Sequence, residues 1–337
     1  KDTPLEHVNQ GGFGDSHYWD VWHGRGDWRY YADSTARFSS EFGFCSSPSL
    51  DTWAKWIDEE DWDTWSPVVR WHDKTGKGYE NFVNFVRLHY PEPTTLEDWV
   101  YYSQLNQRDA LRFGIEHFRR SEFCKGTLIW QINDCWPVQS WAFLDSEGHP
   151  KALGYELYRL YDDRLLSIKR DQEAIEVWAV NDSDDDLAFN VTLAAYSTVE
   201  GTQVGQWEGS VDVPAHERKV AIDASIVGLN VNETILFAES ETTFAWQLLG
   251  EPKNMRFGQP CRLLVSTAEE GMLRIKAEGP VVDLMLTENG SPSKFLENFV
   301  TAPAGGLLEI PVTEMPNAIE ARSLAGEHRV QVTRSPI

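Results

Sequence analysis

Residues 126–137 read GTLIWQINDCWP. The run GTLIW carries no charge and is rich in large apolar side chains, which predicts a fully buried strand of a parallel sheet. Pro137 marks the end of this segment, because proline cannot donate to a strand ladder. The following stretch, PKALGYELYRLYDD at 150–163, predicts a helix. A buried strand that leads into a helix is the unit from which parallel α/β folds are built.

The residues before this stretch continue the same arrangement. DSHYWDVW (15–22) and ARFSSEFGF (36–44) predict two more strands, and TTLEDWVYYSQLNQRDALRFGIEHFRRS (94–121) predicts a long helix. Thr94 and Glu97 match a capping box, and the helix has an apolar stripe made of Leu96, Trp99, Leu105 and Ile115. Strand, loop, strand, helix, strand, helix is the order at the end of a (β/α)8 TIM barrel, so residues 1–165 are predicted to supply its C-terminal three strands.

The second half of the chain has a different pattern. Twelve of the fifteen tryptophans lie between Trp19 and Trp141. From about residue 166 the chain consists of short β-rich segments separated by turn residues, such as AIEVWAVNDS, LAFNVTLAAYS and VVDLMLTENG. This spacing is typical of β-sandwiches and predicts two immunoglobulin-like modules, at 166–255 and 256–337. The fold class expected for the chain is therefore multidomain, α/β followed by all-β.

Composition excludes several classes of partner. The 337 residues contain 30 Lys and Arg against 53 Asp and Glu, a formal charge of -23. Such a chain repels nucleic-acid phosphates and anionic membranes, so a neutral or cationic partner is expected. Neither a membrane span nor a signal peptide is expected, which favours a soluble protein of a bacterial cytoplasm or periplasm, or a secreted or lysosomal one. Sequons begin at four asparagines of the second half and would suit export, namely Asn181, Asn190, Asn232 and Asn289.

No metal or cofactor is expected. The cysteines are scattered and predict buried free thiols: Cys45, Cys124, Cys135 and Cys261. The segment 68–90 contains acidic and histidine side chains that raise the possibility of a metal site, but their spacing fits no zinc pattern and a barrel-rim loop leading into a helix is the better interpretation. The acidic runs at 58–63 and 181–186 are interpreted as solvated turns, with calcium binding as a minor alternative.

Glu41 is the candidate catalytic residue. In FSSEFG, alternation places Ser39 and Glu41 on one face of the strand, and Gly43 opens the loop beyond it. Barrel enzymes carry their catalytic groups at this end of the strands. A buried structural carboxylate, bonded to Arg37 or to a backbone amide, is an equally good interpretation of the pattern alone.

The aromatic residues near these strand ends favour a carbohydrate ligand. HYWDVWHG places His17 and Trp19 on one side of a strand and Tyr18 on the other. Trp130 and Trp136 end the last predicted strand. Indole faces stack on the C–H faces of sugar rings, while imidazole and phenol groups bond hydroxyls. Core packing remains the expected role of most other tryptophans.

These stretches carry a family resemblance. ARFSSEFGFCSSPS, GDSHYWDVWHG and GTLIWQINDCWPVQSWAFLDSEGHPKALGYELYR resemble the catalytic-barrel signatures of beta-mannosidases of glycoside hydrolase family 2. The resemblance covers about the first 165 residues, and the two β-modules fit that family's C-terminal layout. It implies that Glu41 is the nucleophile and that Trp130 walls the subsite of the cleaved mannose. It also implies further subsite contacts from His17, Tyr18 or Trp19, with His23 in the adjoining loop.

The resemblance implies a second carboxyl that this chain lacks. A retaining glycosidase uses two carboxyls about 5 Å apart, and the family's acid/base lies in an Asn-Glu pair on an earlier strand. Glu6 is the only glutamate before Glu41 in this sequence, and the residues around it do not match the Asn-Glu pair. We therefore expect an N-terminal half, as a nicked piece or a second chain, with an expressed fragment as the third possibility.

The function expected is a retaining exo-β-mannosidase that releases terminal β-mannose from manno-oligosaccharides or glycans. A related exo-β-glucosaminidase or β-galactosidase is the alternative within the enzyme class. A non-catalytic carbohydrate-binding fragment is the alternative outside it.

Overall fold

The computed structural model describes residues 9, 11–76, 78–269 and 271–332. The chain divides into two compact units, Lys1–Leu160 and Tyr161–Ile337, which are called here the first and the second unit.

The first unit contains a three-stranded parallel sheet. Its strands are β1 (Ser16–His17), β2 (Ser39–Phe42) and β3 (Thr127–Ile129), in the order β1-β2-β3. β2 is central and pairs with both neighbours, with Ser39 opposite Ser16 and Thr127. Because all three strands run in the same direction, their carboxyl ends lie at one edge of the sheet. That edge carries the candidate site.

In the described part of the first unit, five α-helices follow the strands along the chain: α1 (Leu50–Trp56), α2 (Pro67–Trp71), α3 (Tyr79–Arg87) and α4 (Leu96–Arg120) between β2 and β3, and α5 (Ala152–Leu160) after β3. Short 3-10 segments lie at Trp28–Asp33 and Glu59–Asp61. The four predicted stripe residues of α4 are all buried. Its cap was predicted one residue too early: Thr95 accepts from the Asp98 amide, and the Asp98 carboxylate accepts from Thr94. Thr94–Glu97 and Thr95–Asp98 both have the spacing of a capping box, and the helix begins after Thr95.

Two predicted strands differ from the structure. In DSHYWDVW only Ser16–His17 is extended, because the chain then forms a π-helical turn at Asp20–Arg25. Gly26 ends that turn in the left-handed region, at φ 76°, which favours glycine. The second difference is that β3 is not fully buried: Leu128 is 56% exposed. β3 is an edge strand of this sheet, paired on one side only, so an apolar run did not guarantee a covered strand.

The second unit is all β and begins with two sheets. One has the order β4-β5-β8 and the other β10-β9-β6-β7. Their strands are β4 (Arg164–Asp171), β5 (Ala174–Asn181), β6 (Leu187–Ser197), β7 (Gln203–Val213), β8 (Glu217–Ser225), β9 (Thr234–Glu239) and β10 (Phe244–Leu248). Apolar side chains of both sheets, such as Val177 and Leu193, share one core, as expected of a sandwich.

Two further sheets complete the second unit. Their orders are β15-β12-β11-β18 and β14-β13-β16-β17. The strands are β11 (Arg262–Glu269), β12 (Met272–Ala277), β13 (Val281–Thr287), β14 (Val300–Ala302), β15 (Leu307–Pro311), β16 (Glu320–Ser323), β17 (Gly326–Glu327) and β18 (Arg329–Val332). A separate core fills the space between them. Sandwich-like sheets were predicted for this half and are present. The immunoglobulin-like assignment and the boundary near residue 255 stay predictions.

Two side chains, Asn181 and Cys135, differ from the sequence-based expectations. Asn181 is buried, and its amide donates to the carbonyls of Asp185, Val213 and Pro214, so the first sequon is not accessible. Cys45 and Cys124 are buried as expected, whereas Cys135 is exposed.

Among the described residues, no helix is both long and apolar enough to cross a lipid bilayer.

Candidate active site

Glu41 lies near the carboxyl end of β2, with 27% of its side chain exposed. Two ring nitrogens contact one of its oxygens: Trp19 Nε1 donates to Oε2 at 3.2 Å, and His17 Nδ1 lies 3.3 Å from the same atom. The backbone brings them together, because His17 is opposite Glu41 in the β1–β2 register and the Tyr18 amide donates to the Glu41 carbonyl. The carboxylate is thus accessible and oriented from one side.

Gly43 allows the loop after β3 to approach the end of β2. A Cβ at this position would lie 2.3 Å from the carbonyl oxygen of Trp130, and 3.1 to 3.2 Å from the indoles of Trp141 and Trp19. The Trp130 amide donates to the Phe42 carbonyl at 2.9 Å. These contacts hold Trp130, whose side chain is exposed, beside the strand that carries Glu41. The Trp130–Gln131 peptide bond is cis.

An aromatic cluster adjoins Glu41. The Trp19 ring lies 5.2 Å from His23 and 5.8 Å from Trp141, measured between ring centroids. His23 is 6.1 Å from Trp141, and the fully buried Trp22 contacts Trp141 from below at 6.3 Å. The Trp19–Trp141 and Trp22–Trp141 pairs are edge-to-face, an arrangement that is favourable and fixes ring orientation. The indole of Trp19, which donates to Glu41, is therefore held in place by neighbouring rings as well as by its own backbone.

Tyr18 and Trp136 have other partners. The Tyr18 hydroxyl donates to the Tyr30 carbonyl at 3.1 Å, and burial, together with nearby Asp20, raises the pKa of this phenol. The Trp136 ring contacts Trp71 and His72, at 5.7 and 5.3 Å. The structure therefore brings His17, Trp19, His23 and Trp130 towards Glu41, and places Tyr18 and Trp136 in contact with different groups.

A buried polar group fixes the loop between Trp130 and Trp141. Asp134 accepts from Ser140 Oγ at 2.6 Å and pairs with Lys151 at 3.5 Å. Burial raises the pKa of Asp134 and lowers that of Lys151, since low dielectric disfavours both charged forms. Burial likewise raises the pKa of the nearby Cys45 thiol. Asp134, Lys151 and Cys45 are all buried, so they stabilise the loop and offer no accessible nucleophile.

The sequence reasoning missed two residues that shape the site. Trp141 contacts both Trp19 and His23, and Tyr31 donates to the Gly43 carbonyl at 3.0 Å. Trp141 lies in a loop that returns to the site, which strand alternation cannot reveal. The only available signal was its place at the end of the Trp-rich stretch WQINDCWPVQSW.

Comparisons with known proteins give a consistent result. No protein-family model matches the chain. Beta-mannosidase B of Thermothelomyces thermophilus is 27% identical over 347 residues, covering 89% of this chain and 40% of that protein. Beta-mannosidase B of Aspergillus niger is 28% identical over 201 residues, covering 58% of this chain and 24% of that protein. The chain thus spans less than half the length of these curated relatives.

Solved structures show the same likeness at the level of the fold. The beta-D-mannosidase of Dictyoglomus thermophilum matches 96% of this chain and 41% of its own, with a TM-score of 0.84 and 23% identity. An exo-chitosanase of Amycolatopsis orientalis matches 90% of this chain and 44% of its own, with a TM-score of 0.71 and 15% identity. Sequence and fold agree, and the resemblance to the beta-mannosidases that the motifs predicted is confirmed.

Proposed function

We propose that this chain carries the nucleophile and part of the sugar subsite of a retaining exo-β-mannosidase that releases terminal β-D-mannose. The observation that carries the proposal is the pair of ring nitrogens, from Trp19 and His17, on one oxygen of the accessible Glu41. Curated relatives that bear the name beta-mannosidase support the choice of sugar.

The geometry suggests how Glu41 acts. Trp19 and His17 hold Oε2, so Oε1 is the atom proposed to attack the anomeric carbon. The bond from the anomeric carbon to the leaving oxygen breaks as the bond to Oε1 forms, and a general acid protonates the leaving group. The same group, then a base, activates water, which releases mannose and frees Glu41. The fixed Trp19 donor reduces the reorganisation that this carboxylate undergoes during reaction.

The aromatic side chains complete the proposed subsite. Trp130 is exposed beside β2, where its indole offers a stacking face to the cleaved mannose. His17, Trp19 and His23 are placed to contact its hydroxyls or limit its position. Tyr18, bonded to the Tyr30 carbonyl, is proposed to support this wall indirectly, and Trp136 is proposed to contact sugar farther out.

The remaining part of the site is proposed to come from the N-terminal half of the same enzyme. β3 pairs with β2 on one side, and the apolar Leu128 on it is exposed. An apolar parallel edge of this kind favours further strands, as in a closed (β/α)8 barrel. We propose that a nicked or separate chain supplies those strands and the acid/base carboxyl.

The test is replacement of Glu41 in the complete enzyme. Glu41→Ala is expected to lower kcat for p-nitrophenyl β-mannoside by at least about 10³-fold, because loss of a covalent nucleophile removes the main reaction path. Azide, which can occupy the vacated space, is expected to restore part of the rate. Glu147→Ala is the matched control, since Glu147 is equally exposed, at 28%, and bonds Lys55 rather than the site.

A trapping experiment separates the alternatives. A 2-deoxy-2-fluoro-β-mannosyl donor is expected to lose its leaving group and add one 2-deoxy-2-fluoromannosyl group to Glu41, identified by peptide mass. Labelling of another carboxylate, or full activity of Glu41→Ala with a lowered melting temperature, would make Glu41 structural. Faster turnover of the β-glucosaminide or β-galactoside would favour the related enzymes, and binding without turnover of any glycoside would favour the non-catalytic alternative.

A further inference from the structure

We propose that Trp71, Trp136 and Lys74 form an outer platform that binds a neutral sugar on the leaving-group side of the scissile bond. This inference rests on the proposed function, because it assigns a place for the rest of the glycoside beyond the cleaved mannose. These three residues are called here the outer platform.

The aromatic part of the outer platform is an exposed ring, Trp71, packed against a half-buried one, Trp136. Trp71, the last residue of α2, is 60% exposed, and its ring lies 5.7 Å from that of Trp136 at an interplanar angle of 74°. The Trp136 ring is tilted by 31° from the imidazole of the buried His72, with 5.3 Å between the ring centroids. His72 Nδ1 contacts the Pro137 carbonyl oxygen. Buried His72 therefore contacts both rings, while Trp71 is exposed to solvent.

Lys74 adds a hydrogen-bond donor. Its Nζ lies 4.0 Å from the centroid of the Trp71 ring. An ammonium group over an indole is a favourable cation–π pair, and it retains three donor protons for nearby acceptors. Because Lys74 covers one face of the indole and 60% of Trp71 is exposed, the opposite face is the one proposed to pack on the C–H face of a sugar, with the ammonium donating to hydroxyls that extend past the ring.

One loop connects the outer platform to the candidate active site. Trp130 and Trp141 stand at the two ends of this loop, beside Gly43 and the Glu41 strand, and Trp136 lies halfway along it. The loop is tied down by the Asp134–Ser140 hydrogen bond and by Gln139, which donates to His72 and accepts from buried Trp99. The six-residue separation from Trp130 to Trp136 corresponds to a Cα–Cα distance of at most about 20 Å. The platform is thus within reach of a short oligosaccharide bound at Glu41.

The charge of the chain restricts the occupant. With a formal charge of -23, the chain disfavours an acidic glycan or a nucleic acid. The run DEEDWD at 58–63 lies only a few residues before α2 and adds negative charge to this part of the sequence. A neutral β-linked mannosyl or hexosaminyl residue fits these conditions.

The test compares oligosaccharide with aryl glycoside in the complete enzyme. For Trp71→Ala, the ratio of kcat/KM for β-1,4-mannotriose to that for p-nitrophenyl β-mannoside is expected to fall about tenfold, since one aromatic stacking contact is lost. Trp71→Phe, which keeps a ring, should recover most of the ratio. Trp56→Ala is the control: Trp56 is 56% exposed but bonds Glu147, and its loss should not change the ratio.

Direct binding distinguishes failure of the platform from failure of the proposed function. In a Glu41→Gln background, calorimetric titration with mannotetraose should give an affinity about tenfold weaker when Trp71 is also changed to Ala. Equal ratios and equal affinities for Trp71→Ala and Trp56→Ala would overturn the platform even in an active β-mannosidase. Trp71-dependent binding in an enzyme that cleaves no β-mannoside would support the platform and reject the proposed function.

Discussion

At Gly43 the close packing of the loop after β3 against β2 depends on the absence of a Cβ atom. An added Cβ would lie 2.3 Å from the Trp130 carbonyl oxygen, which is backbone and cannot rotate away. Glycine therefore permits the Trp130 loop to lie directly against the strand that carries Glu41. Any larger residue at position 43 must displace either the Trp130 loop or the end of β2.

Gly43→Ala is expected to lower both stability and activity. Relief of the overlap should shift Trp130 and cost about 1–3 kcal/mol in the free energy of unfolding. The measurements are the thermal midpoint and kcat/KM for p-nitrophenyl β-mannoside. Full activity with an unchanged midpoint would show that the approach of the loop is looser than the structure indicates.

Residue-level patterns predicted some of this arrangement. Strand alternation and the motif resemblance were enough to single out Glu41, His17, Trp19 and Trp130. They could not indicate Trp141, because its position depends on the path of a loop held by buried partners such as Asp134. Nor could they show that Trp136 faces Trp71, since the two are 65 positions apart.

At the scale of elements, Asp145 joins the start of α1 to the turn that precedes α5. Its Oδ2 accepts from the hydroxyls of Ser49 and Thr52, at 2.6 and 2.8 Å, and its Oδ1 accepts from backbone amides of the turn, including that of His149. The His149 ring lies 3.7 Å from Asp145 and 3.3 Å from Asp51. One carboxylate thus satisfies donors from two segments.

This group predicts a pH dependence of stability. Hydrogen bonds to Asp145 and Asp51 raise the pKa of His149 to about 9. Its contribution is therefore complete below about pH 6.5, the ordinary histidine value, and is lost as pH rises through about 9. Burial alone would raise the pKa of Asp145, but bonds from His149, Ser49 and Thr52 outweigh it and lower that pKa. The Asp145 contribution is present above about pH 4 and is lost at lower pH.

His149→Gln should therefore reduce stability at pH 6 by about 2 kcal/mol and flatten the decline between pH 6.5 and 9. The measurement is the thermal midpoint across that range. His216→Gln is the control, because the His216–Asp184 pair is exposed and contributes little. An alkaline decline that persists unchanged in His149→Gln would assign it to other groups.

Elements with strong apolar alternation were predicted well, and weakly apolar ones were not. LAFNVTLAAYS coincides with β6, and VVDLMLTENG contains β13. β7 was missed, because QVGQWEGSVDV contains two glycines and five other polar residues on an edge strand. The predicted strand at 15–22 was cut short by the π-helical turn, whose Asp20–Arg25 ion pair and Gly26 cap are local features that alternation does not detect.

At the scale of the molecule, the second unit has a small apolar cluster distinct from its two sandwich cores. Ile235, Phe237 and Trp246 of β9 and β10 are buried together with Val282 of β13. The segment between β10 and β11 is also bonded to the first pair of sheets, since the Gly258 amide donates to the Thr198 carbonyl at 3.0 Å. The two pairs of sheets therefore share buried surface, which is the physical basis for cooperative unfolding.

A fragment spanning 161–337 is expected to unfold in urea as a single transition, coincident by tryptophan fluorescence and by circular dichroism. Trp246→Ala removes the largest side chain of the shared cluster and should cost about 3–5 kcal/mol, with the transition broadening or separating into two steps. Trp207→Ala is the matched control, because Trp207 is partly buried against the core of the first pair of sheets and is not a member of the shared cluster among the described residues. It should lower stability without separating the steps. Two transitions in the unaltered fragment would mean that the shared cluster is too weak to couple the sheets, and that each pair folds as a module of its own.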